Sequence, residues 1–246
     1  MSCFEEEFQK AQGILQESTN SYNHIFHKVS LLEESINYAK DIKKNNRNIV
    51  IFSVKLIQET LYFSAIIDIH AYFIDTHKST ISLHNVMEKL QRSDFKKFLC
   101  EQYSKHPKTI SPETGELTQK SLTNWEDSYH KEATIRFETI FENINKNNDN
   151  MKKSEVYGRI KILRDKFIAH KEFKDRELYD IASDKHQLGD AKNLLILIKD
   201  ILFDLNKIFN RSEIEFEKGE NQFIEQSREF WRALNSNTMD LNSVKI

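Results

Sequence analysis

The chain has 246 residues, of which 30% are charged, and its 36 Lys and Arg nearly balance its 38 Asp and Glu. This balance excludes a broad basic surface that coats nucleic acid, so any contact with RNA has to be local. Five Gly and two Pro allow few tight turns, which disfavours a sheet-rich fold and favours long helices. The length is enough to bury one large core, and we expect one domain.

The beginning of the chain and its cysteines bear on where the protein acts. Three consecutive glutamates, residues 5–7, stand where a secretory signal has a basic segment followed by an apolar one. Cys3 and Cys100 are too few and too isolated for a disulfide framework or a thiolate metal site. We therefore expect a cytoplasmic protein.

The first half of the chain predicts helices of two kinds. Apolar residues alternate at three- and four-residue spacing over 4–39, which predicts one long amphipathic helix or two in series. The polar run 43–48 ends it, and the next helix, 49–75, is apolar on nearly all sides. Charged side chains such as Lys55 and Asp68 interrupt this apolar stretch, so we expect it in the middle of a bundle, with no membrane as a partner.

The second half predicts three further elements. Shorter helical patterns end near a loop at 107–115, and another helix follows over 117–145 and stops at the Asn-rich run 145–150. A helix carrying the motif discussed below begins there. An unbroken three-four stripe over 188–209 predicts the next helix, and the residues after 210 predict only a short helix and a polar end.

Two aromatic residues of the predicted helix 117–145 are candidates for contact with nucleic acid. Trp125 and Tyr129 are one helical turn apart, and such a pair can stack on nucleobases. Phe137 and Phe141 continue the same spacing, however, so we interpret these aromatic side chains as core.

Metal and nucleotide-cofactor signatures are missing from the sequence. His24 and His27 are three residues apart, but no nearby carboxylate or cysteine completes a tetrahedral set, so we interpret them as surface histidines. The sequence has no phosphate-binding loop, no dinucleotide fingerprint and no Ser or Cys nucleophile motif. We expect neither a metal ion nor another cofactor.

One short segment, Arg164 to His170, is the candidate for a catalytic or RNA-binding site. It contains an Arg, a small polar residue, Asp165, and a His after four more residues. Arg and His at this separation arise by chance in a chain of this composition, so Lys166 and Ala169 at matching positions carry much of the signal. The segment resembles the signature of the HEPN proteins, and its surroundings resemble the AbiU-type abortive-infection branch of those families.

The resemblance covers about 49–90 and 154–209 and implies a fold and a function. The implied fold is all-α, a single HEPN-like helical bundle over 1–209 with an additional helical insertion at about 94–150 and a C-terminal helical tail over 210–246. The implied function is that of a metal-independent endoribonuclease acting as a toxin or abortive-infection effector. RNA, a second copy of the chain and an antitoxin protein are the expected partners.

Helical geometry supplies a prediction about assembly. Arg164 and His170 are six residues apart and point about 120° from each other on an ideal helix, so they cannot meet on one face. They flank, by about 60° on either side, an apolar stripe that consists of Val156, Ile160, Leu163 and Phe167. If two such stripes face each other across a two-fold axis, the Arg of one protomer approaches the His of the other. This predicts a composite site at a homodimer interface, as the HEPN resemblance also implies.

The residue types suit RNA cleavage. RNA carries its own nucleophile, the 2′-hydroxyl, so the reaction needs a base, an acid and positive charge, and no metal ion. His170 can exchange protons near neutral pH, and Arg164 can hold a phosphate through two parallel hydrogen bonds. Asp165 has three candidate roles: orienting the Arg, orienting the His, or capping a neighbouring helix.

Each of these residues also has a plainer interpretation. Lys161, Lys166 and Lys171 are candidates for binding flanking RNA phosphates, but lysines on a helix are usually solvated side chains. Arg164 and His170 could equally be polar side chains at the margins of a buried stripe.

Two other functions stay open at this point. A HEPN fold that no longer cuts would serve as an RNA-binding or protein-interaction module, and a purely structural helical protein would use its stripes for coiled-coil association. Loss of RNA binding in Arg164→Ala without cleavage by the wild type would favour the first. Absence of any RNA affinity would favour the second.

Overall fold

The computed structural model describes residues 3–44, 48–105, 119–165, 173–174, 177–178 and 187–237. Within them the chain is almost entirely helical, which confirms the all-α prediction. The helices are α1 (Cys3–Lys44), α2 (Asn48–Ile69), α3 (Leu83–Leu90), α4 (Ser93–Ser104), α5 (Gln119–Lys153), α6 (Glu155–Ile162), α7 (Asp190–Asn210) and α8 (Phe216–Asn237). Two-residue strands, β1 (Phe173–Lys174) and β2 (Glu177–Leu178), pair antiparallel between α6 and α7. The predicted loop at 107–115 lies outside the described residues.

The first helix, α1, is one continuous helix of 42 residues, where the sequence allowed one helix or two. Its apolar stripe packs against α2, α7 and α8. The buried members of this stripe are Ala11, Leu15, Tyr22, Ile25, Val29 and Leu32. Full burial of one such aliphatic side chain contributes about 1.5–3 kcal/mol, so packing, more than helix propensity, stabilises α1.

The central helix is α7, and the prediction from its unbroken stripe is confirmed within two residues at its beginning. It contacts α1, α2, α4, α5 and α6. Its inward side is formed by Leu194, Leu195, Ile198, Ile201, Leu202 and Leu205, all of them buried. The core is therefore arranged around one helix, and the three-four spacing of its apolar residues is visible in the sequence.

The bounds predicted for α2 agree with the structure. We expected α2 to be covered on all sides in the middle of the bundle, and this prediction is wrong because one side of the helix is exposed. The helix ends at Ile69 and continues as a π-helical turn, His70–Ile74. One side packs against α1 and α7, whereas Phe52, Leu56 and Ile67 on another side are 73%, 57% and 44% exposed. A helix that is apolar all round has no preferred face, so its sequence cannot say which side is covered. In the part of the chain that the structure describes, no helix is long and apolar enough to cross a membrane.

The helix α5 runs through the Asn-rich stretch that we expected to end it, and it reaches Lys153. Ile144, Asn148 and Met151 follow one another at helical spacing and are all buried. Tertiary packing therefore overrides the poor helix propensity of Asn. The break comes instead at Ser154, so the motif helix begins later than predicted.

The tail of the chain is more ordered than the sequence suggested. The predicted short helix is α8, with 22 residues, and it packs along α1. Trp231 is buried against Tyr38 and Val54, and its indole Nε1 donates to the Leu31 carbonyl at 2.9 Å. A buried indole with a satisfied donor anchors α8 to the first two helices.

Candidate functional site

The helix α6 begins at a defined point and changes pitch where the motif starts. The Ser154 hydroxyl oxygen accepts a hydrogen bond from the Tyr157 amide at 3.2 Å, a side-chain cap that sets the beginning of the helix. Regular α-helix ends at Ile162, and residues 163–165 form a wider π-helical turn. Turns of this kind are rare and are frequently found at functional sites.

Arg164 and Asp165 lie in this turn and form an ion pair. Arg164 Nη1 donates to Asp165 Oδ1 at 3.0 Å, and both side chains are partly exposed. Arg164 makes no other hydrogen bond within the described residues, so its remaining N–H donors have no acceptor among those residues. The geometry matches one of the three roles considered for Asp165, that of orienting Arg164.

Sequence reasoning missed His70, which lies beside this pair. Its Nε2 is 4.0 Å from Asp165 Oδ1, a distance at which charges interact but no direct hydrogen bond forms. The side chain is only 7% exposed. Burial lowers the pKa of His70, and Arg164 and Lys161 lower it further, while Asp165 and Asp75 act in the opposite direction. The imidazole is therefore neutral at neutral pH.

The backbone gives His70 its position. It is the first residue of the π-helical turn at the end of α2, so two π-helical turns, one from α2 and one from α6, meet at the His70–Asp165 contact. The available sequence signal was a histidine inside the most apolar stretch of the chain, where a polar group needs a partner. Which partner it meets depends on the packing of α6 against the end of α2.

A second pair, Arg159 with Asp190, holds α6 against α7 and was also missed. Arg159 Nε and Nη2 donate to the two oxygens of the Asp190 carboxylate at 3.0 and 2.6 Å. Asp190 is fully buried and also accepts from the Gln187 amide at 3.1 Å. It lies in the first turn of α7, where the helix dipole favours a negative charge. This pair fixes α6, and with it Arg164, relative to the centre of the bundle.

The proposed dimer stripe on α6 is not a free surface. Ile160 and Leu163 are fully buried in a single copy of the chain, and Val156 packs against the same core; Phe167 lies outside the described residues. The prediction that this stripe faces a second protomer is wrong. Amphipathicity says that a face is buried, but not whether its own chain or a second copy covers it.

The other residues named from the sequence are distributed as follows. Lys161 is exposed on α6, whereas His170, Lys166 and Lys171 lie outside the described residues. His24 is exposed, and His27 is partly buried with its ring stacked on Phe223 at 4.9 Å. Among the residues that the structure describes, no group of three or more His, Cys, Asp or Glu is placed to hold a metal ion.

An all-α bundle whose motif helix leads into an Arg-Asp pair, with a His five residues further along the sequence than that Asp, is of the HEPN class. The chain belongs to the AbiU2 family of HEPN proteins, whose family model matches residues 54–230. The matched range includes the motif segment. Comparisons with curated proteins and with solved structures found no match.

Proposed function

We propose that this protein is a metal-independent endoribonuclease that acts in the cytoplasm as a toxin or abortive-infection effector in phage defence. One observation carries the proposal: in a chain of the AbiU2 family, the Arg164–Asp165 pair occupies an accessible turn beside the buried His70. Membership of a HEPN family supports an RNase-like or abortive-infection role. RNA as substrate and strand cleavage as reaction are inferred from the chemistry of these residues.

In the proposed reaction the 2′-hydroxyl oxygen attacks the adjacent phosphorus, and the bond from phosphorus to the 5′-oxygen breaks. The products are a 2′,3′-cyclic phosphate and a 5′-hydroxyl. One His170 takes the proton of the 2′-hydroxyl, and the His170 of a second copy donates a proton to the departing 5′-oxygen. Arg164 binds the non-bridging oxygens, on which negative charge grows in the transition state.

The surrounding residues prepare Arg164 for this role. Asp165 holds one side of the guanidinium, which leaves the other donors in a fixed direction. Neutral His70 adds no further charge next to the Arg164–Asp165 ion pair. Lys161, exposed on the preceding turn, binds a flanking phosphate, and Lys166 and Lys171 do the same from the following segment.

A composite site needs a surface for the second copy, and we infer that this surface is the exposed side of α2. Phe52, Leu56 and Ile67 form an apolar strip there, and such strips mark sites of association in soluble proteins. Ile67 is one turn before His70, so the strip leads directly to the motif. Two copies packed through α2 would therefore place both motif turns at the edge of one interface.

The oligomeric state tests this surface. Sedimentation of the wild type should give a dimer, and Leu56→Lys should give a monomer that also loses RNA cleavage, since each half of the site is then incomplete. The matched control is Ile196→Lys on α7, which replaces another exposed apolar side chain and should leave the dimer intact. A monomeric wild type at micromolar concentration would refute the composite site.

Ribonuclease activity is tested by expression in bacteria, with growth and total-RNA integrity as readouts. Wild type and the control His24→Ala, which removes an exposed histidine of α1, should arrest growth and degrade RNA, whereas Arg164→Ala and His170→Ala should do neither. Purified protein should cut RNA in the presence of EDTA. RNA that stays intact with purified wild type, together with RNA binding that depends on Arg164, would replace this proposal by the non-cutting HEPN module.

A further inference from the structure

A cleft lined by both charged and apolar side chains lies near the opposite end of the bundle from the motif. It has a volume of about 500 Å³ and is formed by the end of α4, part of α5 and the turn after α7. Its lining includes Arg136, Lys207 and Arg211, with Glu213 as the acidic member. Lys207 is seventeen residues after Asp190 along α7, so the cleft is about 25 Å from the Arg159–Asp190 pair by helical rise.

The cations of this cleft are poorly neutralised. Arg136 and Arg211 have no carboxylate within ion-pair distance in the described part of the chain. Lys207 lies over the Phe203 ring at 3.9 Å and is 3.5 Å from Asp204 Oδ1, which is long for a charged hydrogen bond. Three positive side chains converge on this concave surface with Glu213 as the acidic member of the lining, and such an excess of positive charge attracts an anion.

The backbone at Arg211 supports a built site. Arg211 has φ 51° and ψ 32°, the left-handed conformation that residues with a Cβ adopt rarely. Glycine is the usual residue at this position after a helix, so an arginine here costs about 1 kcal/mol. Its guanidinium donates to the Gln102 carbonyl at the end of α4, which holds the charge at the wall of the cleft. Strain of this kind is often found at ligand sites.

Aromatic side chains complete the lining. Tyr103 and Tyr129 both face the cleft, and Tyr129 is one of the residues that the sequence offered as a base-stacking candidate. Phe137 and Phe141 are buried as expected, whereas Tyr129 is partly exposed. Tyrosine rings beside cations are the combination that binds a base and its phosphate together.

We propose that this cleft binds a nucleotide, with its phosphate on Arg136, Lys207 and Arg211 and its base against the tyrosines. The nucleotide is either part of a single-stranded RNA or a free mononucleotide, because both present a phosphate beside a planar base. If the nucleotide belongs to an RNA strand, the cleft binds a part of that strand distant from the part that lies at the motif. This role in substrate binding rests on the proposed function. Nucleotide binding itself does not depend on cleavage.

The test uses the full chain with His170→Ala, so that no substrate is consumed, and a fluorescent single-stranded RNA twelve nucleotides long. Fluorescence anisotropy across a range of salt concentrations measures affinity and its salt dependence. Arg136→Gln should weaken binding about tenfold, the loss of one charged hydrogen bond, and should lower the slope of log affinity against log salt by about 0.7. Arg211→Gln should act in the same direction.

The control is Arg232→Gln, which removes an exposed arginine of α8 and should leave affinity within about twofold. Adenosine 5′-monophosphate then distinguishes an RNA strand from a free mononucleotide as the natural ligand. A site for free nucleotides is shown if the mononucleotide displaces the RNA from His170→Ala but does not displace it from the variant that also carries Arg136→Gln. RNA binding that depends on Arg136 and resists the mononucleotide shows a strand site. Unchanged affinity and salt slope in Arg136→Gln would overturn the proposal, whether or not the wild type cuts RNA.

Discussion

Two arginines five residues apart, in and just after α6, have opposite surroundings. Arg159 meets both oxygens of a fully buried carboxylate on another helix. Arg164 meets one oxygen of its sequence neighbour and stays partly exposed. The first pair links α6 to α7 and stabilises the fold, whereas the second leaves N–H donors for a ligand. Residue type alone does not distinguish these roles. They are distinguished by how deeply the side chain is buried and by whether its partner is on another helix or next to it in the sequence.

The largest expected effect is that of breaking the buried pair. Arg159→Ala leaves the Asp190 carboxylate buried without its counter-charge, which should lower the free energy of unfolding by about 3–5 kcal/mol. Urea unfolding followed by circular dichroism measures this change. The double variant Arg159→Leu, Asp190→Leu should recover part of the loss, because no unpaired charge remains. A loss below about 1 kcal/mol in Arg159→Ala would contradict the structural role.

Arg164→Ala should show the reverse pattern. Its exposed ion pair contributes at most about 1 kcal/mol to stability, but loss of the charge that stabilises the transition state should slow RNA cleavage about 100- to 1000-fold. Single-turnover rates and urea unfolding on the same preparation measure both quantities. Arg164→Lys should stay slow, since an ammonium cannot form two parallel hydrogen bonds. Comparable losses of stability in Arg164→Ala and Arg159→Ala would remove the distinction between the two pairs.

His70 predicts a smaller effect that depends on pH. Burial and the charge of Arg164 lower the pKa of His70 in the folded protein, so the unfolded chain takes up this proton first as the pH falls. The free energy of unfolding should therefore decline below about pH 6.5 until the pH has passed the folded pKa. His70→Gln should flatten this decline.

The matched control for His70 is His27→Gln. Burial also lowers the pKa of His27, so this residue titrates in the same window but is far from the motif along the chain. Each variant should remove its own share of the pH dependence. A pH dependence in His70→Gln identical to that of the wild type would show that His70 is not held in the environment described above.

The smallest expected effect concerns Lys161. It is exposed on α6, so Lys161→Ala should leave stability unchanged within about 0.5 kcal/mol. RNA affinity should fall only a few-fold, with a salt slope lower by about 0.7 for one lost phosphate contact. Anisotropy titrations at several salt concentrations measure both. An unchanged slope would assign Lys161 to the solvated surface.

The helices α7 and α2 show how much of the fold is predictable from the sequence. The apolar stripe of α7 marks one face, so both its bounds and its buried side follow from periodicity. The bounds of α2 follow equally well, but its apolar residues point in all directions, and only packing decides which of them remain exposed. In α5 the Asn-rich run predicted an end that does not exist, because Ile144 and Met151 are buried on the same face.

The candidate site likewise has contacts that are predictable from the sequence and contacts that are not. Arg164 and Asp165 are adjacent in sequence, so their pairing is local and was among the roles considered for Asp165. His70 is 95 positions before Asp165, and Arg159 meets a partner 31 residues away. Neither contact has a signature in the local pattern, because each depends on how two separate helices pack.

The sequence by itself determined the helical class, the position of the motif segment and the chemistry of its side chains, because periodicity and residue type are local properties. Only the tertiary structure decided which apolar faces are covered, that two π-helical turns bring His70 to Asp165, and that Arg159 is anchored to a buried carboxylate. These depend on contacts between distant segments, whose geometry is set by the burial of the whole core and not by any one stretch of chain.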